Sequence, residues 1–239
     1  MHVSTGSSLF TSIRSFLVPV NSDGYKFLGI GIVATFLGFM LWSPLGWIAA
    51  VITAWIAYFF RDPDRVTPLR EGLVIAPADG RVAAVGRVKP PKELGLGDGE
   101  RTRISIFLSV MDVHVQRAPV AGRIARAIYI PGLFLNADLD QASTDNERSA
   151  LIIETPGGGE FAVVQIAGLI ARRILTFARQ GDSIGVGQRF GLIRFGSRVD
   201  VYLPPSYHAL VSIGQTAIGG ETILADLKSD EPEREARRS

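Results

Sequence analysis

The sequence predicts a mainly β protein with a few helices: a barrel-sandwich-like domain preceded by an N-terminal apolar helical hairpin. Three observations carry this reading. Residues 27–60 hold no charged side chain. From residue 73 onward, short β-prone runs recur between glycines and prolines, a spacing that fits a compact sheet better than repeated βα units. The 239 residues are 47% apolar and 20% charged, with 26 glycines and 13 prolines. That is enough for one substantial core or two small domains, and it excludes disordered, coiled-coil and collagen-like chains.

The apolar stretch FLGIGIVATFLGFMLWSPLGWIAAVITAWIAYFF is too long for one straight span. As a single helix it would run about 51 Å, against a hydrocarbon core of about 30 Å. Ser43-Pro44 lies near its middle, and proline breaks a helix interior. Two helices of roughly 15 to 17 residues joined at Ser43-Pro44 are therefore expected. They could re-enter one leaflet or make two thin spans, and a buried helical pair in a soluble domain stays open as well. Lys26 before the first arm and Arg61, Arg65 and Arg70 after the second favour both ends on the cytoplasmic side. Trp42, Trp47, Trp55 and Tyr58 could anchor at the interface. A cleaved signal peptide fits less well, because the stretch starts late and no small-x-small site ends it.

The expected division is a membrane-associated region over 1–65, a β-rich domain over 66–227 and a solvated tail over 228–239. Strands are expected at 73–77, 81–88, 104–110, 123–130, 150–155, 161–168, 198–204 and 208–213, and a helix over 169–177. A weak internal repeat relates APADGRVA at 76–83 to APVAGRIA at 118–125. Two related hairpin-like units in one core would explain it, and only the first copy carries an acid, Asp79.

Composition narrows the chemistry. There are no cysteines, hence no disulfides, thiol nucleophile or thiolate metal site. The histidines are His2, His114 and His208, which disfavours clustered histidine ligation; carboxylates could still hold magnesium, but no metal site is assigned. A net charge of +2 with scattered arginines and no aromatic-basic module gives no nucleic-acid partner.

Three pieces could carry a reaction. Asp79 sits in the PADG turn, where an aspartate bonding its own backbone is equally at home. In FLSVMDVHVQRAP (107–119), a continuing strand would put Asp112, His114 and Gln116 on one side. His114 is suited to proton exchange near neutral pH, or to a satisfied place at a sheet edge. Ser197 follows a glycine just before an alternating strand in RFGSRVDVYLP (194–204). The surroundings are not G-x-S-x-G, so a serine-hydrolase elbow fits poorly and a small turn fits as well.

Taken together, the apolar hairpin, FFRDPDR, APADGRV, FLSVMDVHVQRAP, NADLDQASTDNER and GQRFGLIRFGSRVDVYLP resemble the phosphatidylserine decarboxylase proenzymes, in their short bacterial and archaeal form. The likeness spans nearly the whole chain, and RFGSRVD is its most specific element. It implies self-cleavage between Gly196 and Ser197, with Ser197 becoming a covalent pyruvoyl group and the large and small chains staying together. It implies a ketone that binds the amine of phosphatidylserine and draws electrons as carbon dioxide leaves, yielding phosphatidylethanolamine. It places Asp79 and His114 in the site, with His114 as proton donor and substrate contact. Longer family members carry a second histidine three residues after the first. Arg117 stands there in this chain, so the processing base could be His114, Asp79 through water, or His208.

The resemblance also gives a role to 133–148. Leu133-Phe134-Leu135-Asn136 would dip into the membrane surface while Asp138, Asp140, Asn146 and Arg148 stay polar, with Arg148 on the lipid phosphate; an exposed loop with internally paired charges is the alternative. The expected location is the cell membrane with the catalytic domain on the cytoplasmic side, and dimerisation is a family expectation. Two other readings stay open at this stage: a non-catalytic membrane-anchored β binding module, and a pyruvoyl decarboxylase acting on another amine.

Overall fold

The computed structural model describes residues 18–134, 145–169, 173–194 and 196–231. The chain divides into two compact units, Met1–Asp64 and Arg65–Ser239.

In the first unit, helices α1 (Tyr25–Leu41) and α2 (Ser43–Phe59) are both 17 residues long. The break falls at Trp42, which is extended at φ −165°, ψ 123°. Pro44 occupies the first turn of α2, where a missing N–H leaves no intrahelical bond unmade. The two helices pack through small residues: a Cβ on Gly38 would lie 3.0 Å from the Gly46 backbone. The Thr35 and Thr53 hydroxyls meet across the same seam at 3.1 Å. Ile30, Phe36, Met40, Trp47 and Val51 stay exposed. Ser22–Leu41 is a 20-residue helical stretch of mean hydropathy 1.6, long and apolar enough to cross a bilayer.

The second unit carries β1 (Leu73–Ile75), β2 (Gly80–Val88), β3 (Arg101–Leu108), β4 (Val115–Arg117), β5 (Gly122–Ile130), β6 (Arg148–Glu154) and β7 (Glu160–Ala167). These are followed by β8 (Ile174–Thr176), β9 (Ser183–Ile184), β10 (Arg189–Ile193), β11 (Ser197–Tyr202), β12 (Thr216–Ala217) and β13 (Ile223–Asp226). Among the described residues they form three sheets, ordered β12-β2-β3-β11-β7-β6-β5-β9, β4-β10-β8 and β1-β13. Alternation sorts β11 between two apolar clusters. Val199 and Val201 join Ile104, Ile106, Phe161 and Val163 in the main core, while Tyr202 joins Ile152, Val164 and Ile166 on the opposite face.

The weak sequence repeat is a true structural duplication. Ile75 N–H donates to Pro119 O at 2.9 Å, and its counterpart Arg117 N–H donates to Pro77 O at 2.8 Å. Each repeat then repeats its partners: Val82 N to Gln215 O and Gly214 N to Val82 O in the first, Ile124 N to Asp182 O and Gly181 N to Ile124 O in the second. Bulges fall at matching places, between Val82 and Ala84 and between Ile124 and Arg126. Gly80 and Gly122 are matched too, since a Cβ there would lie 2.1 Å from Phe107 O and 2.2 Å from Glu154 O respectively. No side chain fits either position. An approximate two-fold passes through the Val201–Val163 pair at the centre of the large sheet.

Three local expectations are corrected. Residues 174–176 form strand β8 against β10, because their apolar side chains are recruited to an edge of the small sheet. Residues 208–213 form no regular strand, only a bridge from Ala209 to Ala225. The strand through 107–117 is interrupted: β3 ends at Leu108, a turn covers 110–111, and pairing resumes at Val115. The Asp112 carboxylate accepts the Ser109 N–H at 2.7 Å and closes that turn, so Asp112, His114 and Gln116 do not share one strand face. Leu135, Asn136, Asp138 and Asp140 lie outside the described residues.

Candidate active site

Ser197 opens β11 and is paired on both sides, with Leu108 of β3 and Ala167 of β7. It is fully buried on the main-core side of the sheet, and its Oγ has no hydrogen-bond partner among the described residues. A buried hydroxyl without a partner costs free energy that an ordinary structural serine would recover. The preceding Gly196 has φ +44°, a left-handed conformation that favours glycine. A peptide bond thus enters a central strand of the large sheet through a position few residues tolerate, with a buried hydroxyl just after it.

His114 reaches the same end of the sheet by a different route. The β3–β4 turn starts at Leu108, the register partner of Ser197, and His114 O accepts the Ile193 N–H at 3.3 Å just before β10 leads into the Gly196-Ser197 junction. The imidazole is buried, with Nδ1 2.9 Å from Asp112 O. A carbonyl only accepts, so Nδ1 carries the proton and Nε2 is the basic nitrogen.

Asp79 stands just ahead of β2. Arg81, Phe107 and Arg198 are in register across β2, β3 and β11, so Asp79 and Ser197 share one end of the sheet. Two strand spacings separate them, roughly 10 Å. The Asp79 carboxylate accepts from Arg65 Nη2 at 2.7 Å and from Gly219 N–H at 2.8 Å. Burial pushes its pKa up, while Arg65 and the Gly219 N–H pull it down and nearby Asp112 adds a push upward. Burial wins, so the Asp79 carboxyl is harder to ionise than an ordinary aspartate even with Arg65 paired to it.

Arg117 is buried in β4, with Nη1 3.2 Å from Gly187 O. Its side chain and that of Arg65 both lie against Gly220. The structure therefore gives this position a backbone-bracing role beside the Arg65–Asp79 pair.

Behind Ser197 runs a chain of buried amides and hydroxyls. Gln165 Nε2 donates to Gln116 Oε1 at 2.9 Å, Thr176 Oγ1 donates to Gln165 Oε1 at 3.1 Å, and Ser149 Oγ lies 2.8 Å from Thr176 Oγ1. Asn146 Nδ2 donates to Ala167 O at 2.7 Å and fixes the strand end beside Ser197.

The duplication explains why the site is one-sided. Gly72, Ala121 and Gly159 occupy the places of His114, Asp79 and Ser197 in the other half. Leu227 N–H bonds Gly72 O as Ile193 N–H bonds His114 O, and Glu160 pairs with Glu154 as Arg198 pairs with Phe107. Those three residues, with Val120, Tyr207 and Leu227, line an apolar groove of about 540 Å³ at the other end of the sheet. One fold thus repeats the same backbone arrangement at both ends of the sheet and places serine, histidine and aspartate at one end only.

Two expected site residues fall elsewhere. Arg148 is the first residue of β6, buried, and shares a small recess with Asp200 and Tyr202. Alternation puts that recess on the face opposite Ser197, and Arg148 faces Glu93 at 3.8 Å. His208 is exposed on the segment whose neighbour Tyr207 lines the far groove. Sequence reading missed Arg65 as the partner of Asp79, although RDPDR carried the charge. It also missed Asn146 and the Gln116–Gln165 pair, whose side chains meet only through tertiary pairing.

A buried Gly-Ser junction in a duplicated β unit, following an apolar helical hairpin in the sequence, fits a self-processing decarboxylase precursor as a class. The sequence profile of the phosphatidylserine decarboxylase family matches residues 52–225. The chain is similar to proteins described as phosphatidylserine decarboxylase proenzymes. That of Beijerinckia indica is 57% identical over 225 residues, covering 94% of this chain and 97% of the relative. That of Xanthobacter autotrophicus is 59% identical over 232 residues, covering 97% and 99%. That of Nitrobacter winogradskyi is 58% identical over 217 residues, covering 91% and 88%. The chain belongs to the phosphatidylserine decarboxylase family.

Proposed function

We propose that the chain cleaves itself between Gly196 and Ser197, and that the mature protein converts phosphatidylserine to phosphatidylethanolamine and carbon dioxide. The observation that carries this reading is the buried, unpartnered Ser197 Oγ directly after Gly196 at φ +44°.

Maturation begins when Ser197 Oγ attacks the Gly196 carbonyl carbon and its proton passes to His114 Nε2. The C–N bond breaks, the amine takes a proton, and an ester joins Gly196 to Ser197. Removal of the Ser197 α-proton expels the Gly196 carboxylate and leaves dehydroalanine. Tautomerisation to the imine, addition of water and loss of ammonia give the pyruvoyl group. The buried setting of Ser197 suits that group, because the small chain starts inside the core. When formed, the group supplies a carbonyl electron sink for loss of the substrate carboxyl.

The chain's own residues do the rest. His114 holds and returns a proton near the reacting end of β11. The Arg65–Asp79 pair sets the local charge. After cleavage β11 remains between β3 and β7, β12 stays on β2 and β13 on β1, so residues 197–239 are retained without any disulfide. The basic residues flanking the hairpin, Lys26 before it and Arg61 after it, support a cytoplasmic catalytic unit.

Denaturing intact-mass measurement tests the proposal. The expected result is two products, residues 1–196 and a pyruvoyl-blocked 197–239, and one uncleaved chain for Ser197→Ala. Cleavage persisting in Ser197→Ala would overturn the assignment. Processed protein that releases no carbon dioxide from phosphatidylserine would overturn the substrate.

A further inference from the structure

Exposed apolar side chains gather at the end of the large sheet where Ser197 lies. Met111 sits in the turn after Leu108, the register partner of Ser197, and is 56% exposed. Leu169 follows Ala167, its other register partner, and is 68% exposed. Leu133 bridges to Asn146, which in turn binds Ala167 O, and it is 58% exposed. Across neighbouring strands at about 4.8 Å each, these tips fall within roughly 15 Å of one another.

The tips stand on anchored backbone. Asp112 closes the turn that carries Met111, and Leu133 is held by its N–H to Asp145 O at 2.7 Å and by Glu147 N–H to its own carbonyl at 2.9 Å. Charged residues of both signs flank them, Asp145 and Glu147 at Leu133 and two arginines toward the Gly196-Ser197 junction. Arg194 N–H reaches Arg173 O at 3.4 Å just before the Gly196-Ser197 junction, and the Arg173 side chain is exposed.

We propose that Met111, Leu133 and Leu169 form a lipid-contact rim on the catalytic unit that seats the Ser197 end of the sheet on a phospholipid bilayer. Separate apolar tips among charged residues of both signs suit a headgroup layer, into which single side chains can insert. A stable interface with a second copy needs a continuous face of about 800 Å² per partner, which tips on separate turns do not supply. The purpose of the rim rests on the phosphatidylserine reading, since a diacyl substrate presented at this end need not leave the membrane.

The absence of cysteine makes the test direct. Met111→Cys, Leu133→Cys, Leu169→Cys and, at the far end of β6, Glu154→Cys are made in the full chain and labelled with an environment-sensitive fluorophore. Each is placed in phosphatidylcholine vesicles with and without phosphatidylglycerol. The expected result is blue-shifted emission quenched by doxyl-lipids at the three rim positions, with either lipid composition, and none at position 154. Rim labels that behave like the label at 154 would overturn the proposal. Rim labels shielded only as protein concentration rises, with no lipid quenching, would assign the rim to a second copy and overturn it too. None of these signals depends on turnover, so the rim can fail or stand independently of the substrate assignment.

A second readout uses Met111→Asp with Leu169→Asp. Turnover on vesicles is expected to fall roughly tenfold while turnover of a short-chain, detergent-dispersed substrate is kept. Equal losses on both substrates would mark the residues as merely structural.

Discussion

Arg65 clamps Asp79: its Nη2 lies 2.7 Å from Oδ2, while Oδ1 takes the Gly219 N–H at 2.8 Å. Burial raises the Asp79 pKa against this pull. Removing Arg65 leaves only the Gly219 N–H against burial and Asp112, so the carboxyl becomes easier to protonate. For Arg65→Ala, self-cleavage is expected to slow, and the acid limb of its pH profile to move to higher pH. Arg65→Lys restores the charge and should recover most of the lost rate near neutrality. Cleavage time courses by gel across pH check this; an unmoved acid limb in Arg65→Ala would detach Asp79 ionisation from processing.

The same raised pKa has a signature in stability. A carboxyl harder to ionise in the fold than in the unfolded chain contributes stability while protonated and loses it as pH rises from the ordinary value of 3.8 through the raised one. Asp79→Asn, neutral at every pH, should flatten that part of the curve. Thermal unfolding of Asp79→Asn against Ser197→Ala, both as intact chains, reads the difference.

His114 is expected to matter more than any residue except Ser197. His114→Ala removes the basic nitrogen that Asp112 O orients, and self-cleavage should slow about 100-fold or more. His114→Gln keeps volume and hydrogen-bonding ability but no basic ring, so it should be equally slow. Normal cleavage together with full decarboxylation in His114→Ala would remove His114 from both steps.

Much of this site was legible as motifs and little of it as geometry. APADGRVA and APVAGRIA announce a duplication because both copies need a glycine where a carbonyl crowds the chain and an alternating strand after it. Their partner segments around Gly181 and Gly214 share the pairing but little sequence, since backbone hydrogen bonds do not select side chains. The far groove, with Gly72, Ala121 and Gly159 in the armed positions, was therefore hidden. The turn at 110–111 was hidden for another reason: Val110 and Met111 read as strand, and only the Asp112 carboxylate on Ser109 N–H ends it. Arg148 reads in the sequence as part of a polar loop, whereas pairing with Ile130 and Ile166 places it at the buried start of β6.

The two special glycines should fail in different ways. A Cβ at Gly196 meets nothing within 4 Å, so Gly196→Ala carries only the left-handed backbone cost, about 1–2 kcal/mol. The chain should fold, with a melting point lower by roughly 2–8 °C, and cleave slowly. Gly80→Ala instead drives a Cβ to 2.1 Å from Phe107 O, where only backbone can give way. It should disrupt the β2–β3 pairing and fail to accumulate as folded protein. Circular dichroism melting and soluble yield separate the two; equal destabilisation would show that the carbonyl contact is relieved cheaply.

Gln165 tests whether the buried polar chain behind Ser197 is structural or chemical. Its Nε2 serves buried Gln116 and its Oε1 serves half-buried Thr176, so Gln165→Leu strands Gln116 in the core and takes an acceptor from Thr176. Unsatisfied buried groups cost about 1–3 kcal/mol each, so the melting point should fall by several degrees. Gln165 lies two residues before Ala167, the register partner of Ser197, and its side chain shares the core face of Ser197. A loosened β7 end would then also misplace the nucleophile and slow cleavage. Gln165→Glu keeps the acceptor for Thr176 but presents an oxygen to Gln116 Oε1, so it should lose stability as pH rises and the carboxyl ionises. If Gln165→Leu melts lower yet cleaves at the parent rate, the chain of amides supports the core alone; a cleavage defect that outlasts stabilisation by low temperature would assign it to positioning Ser197.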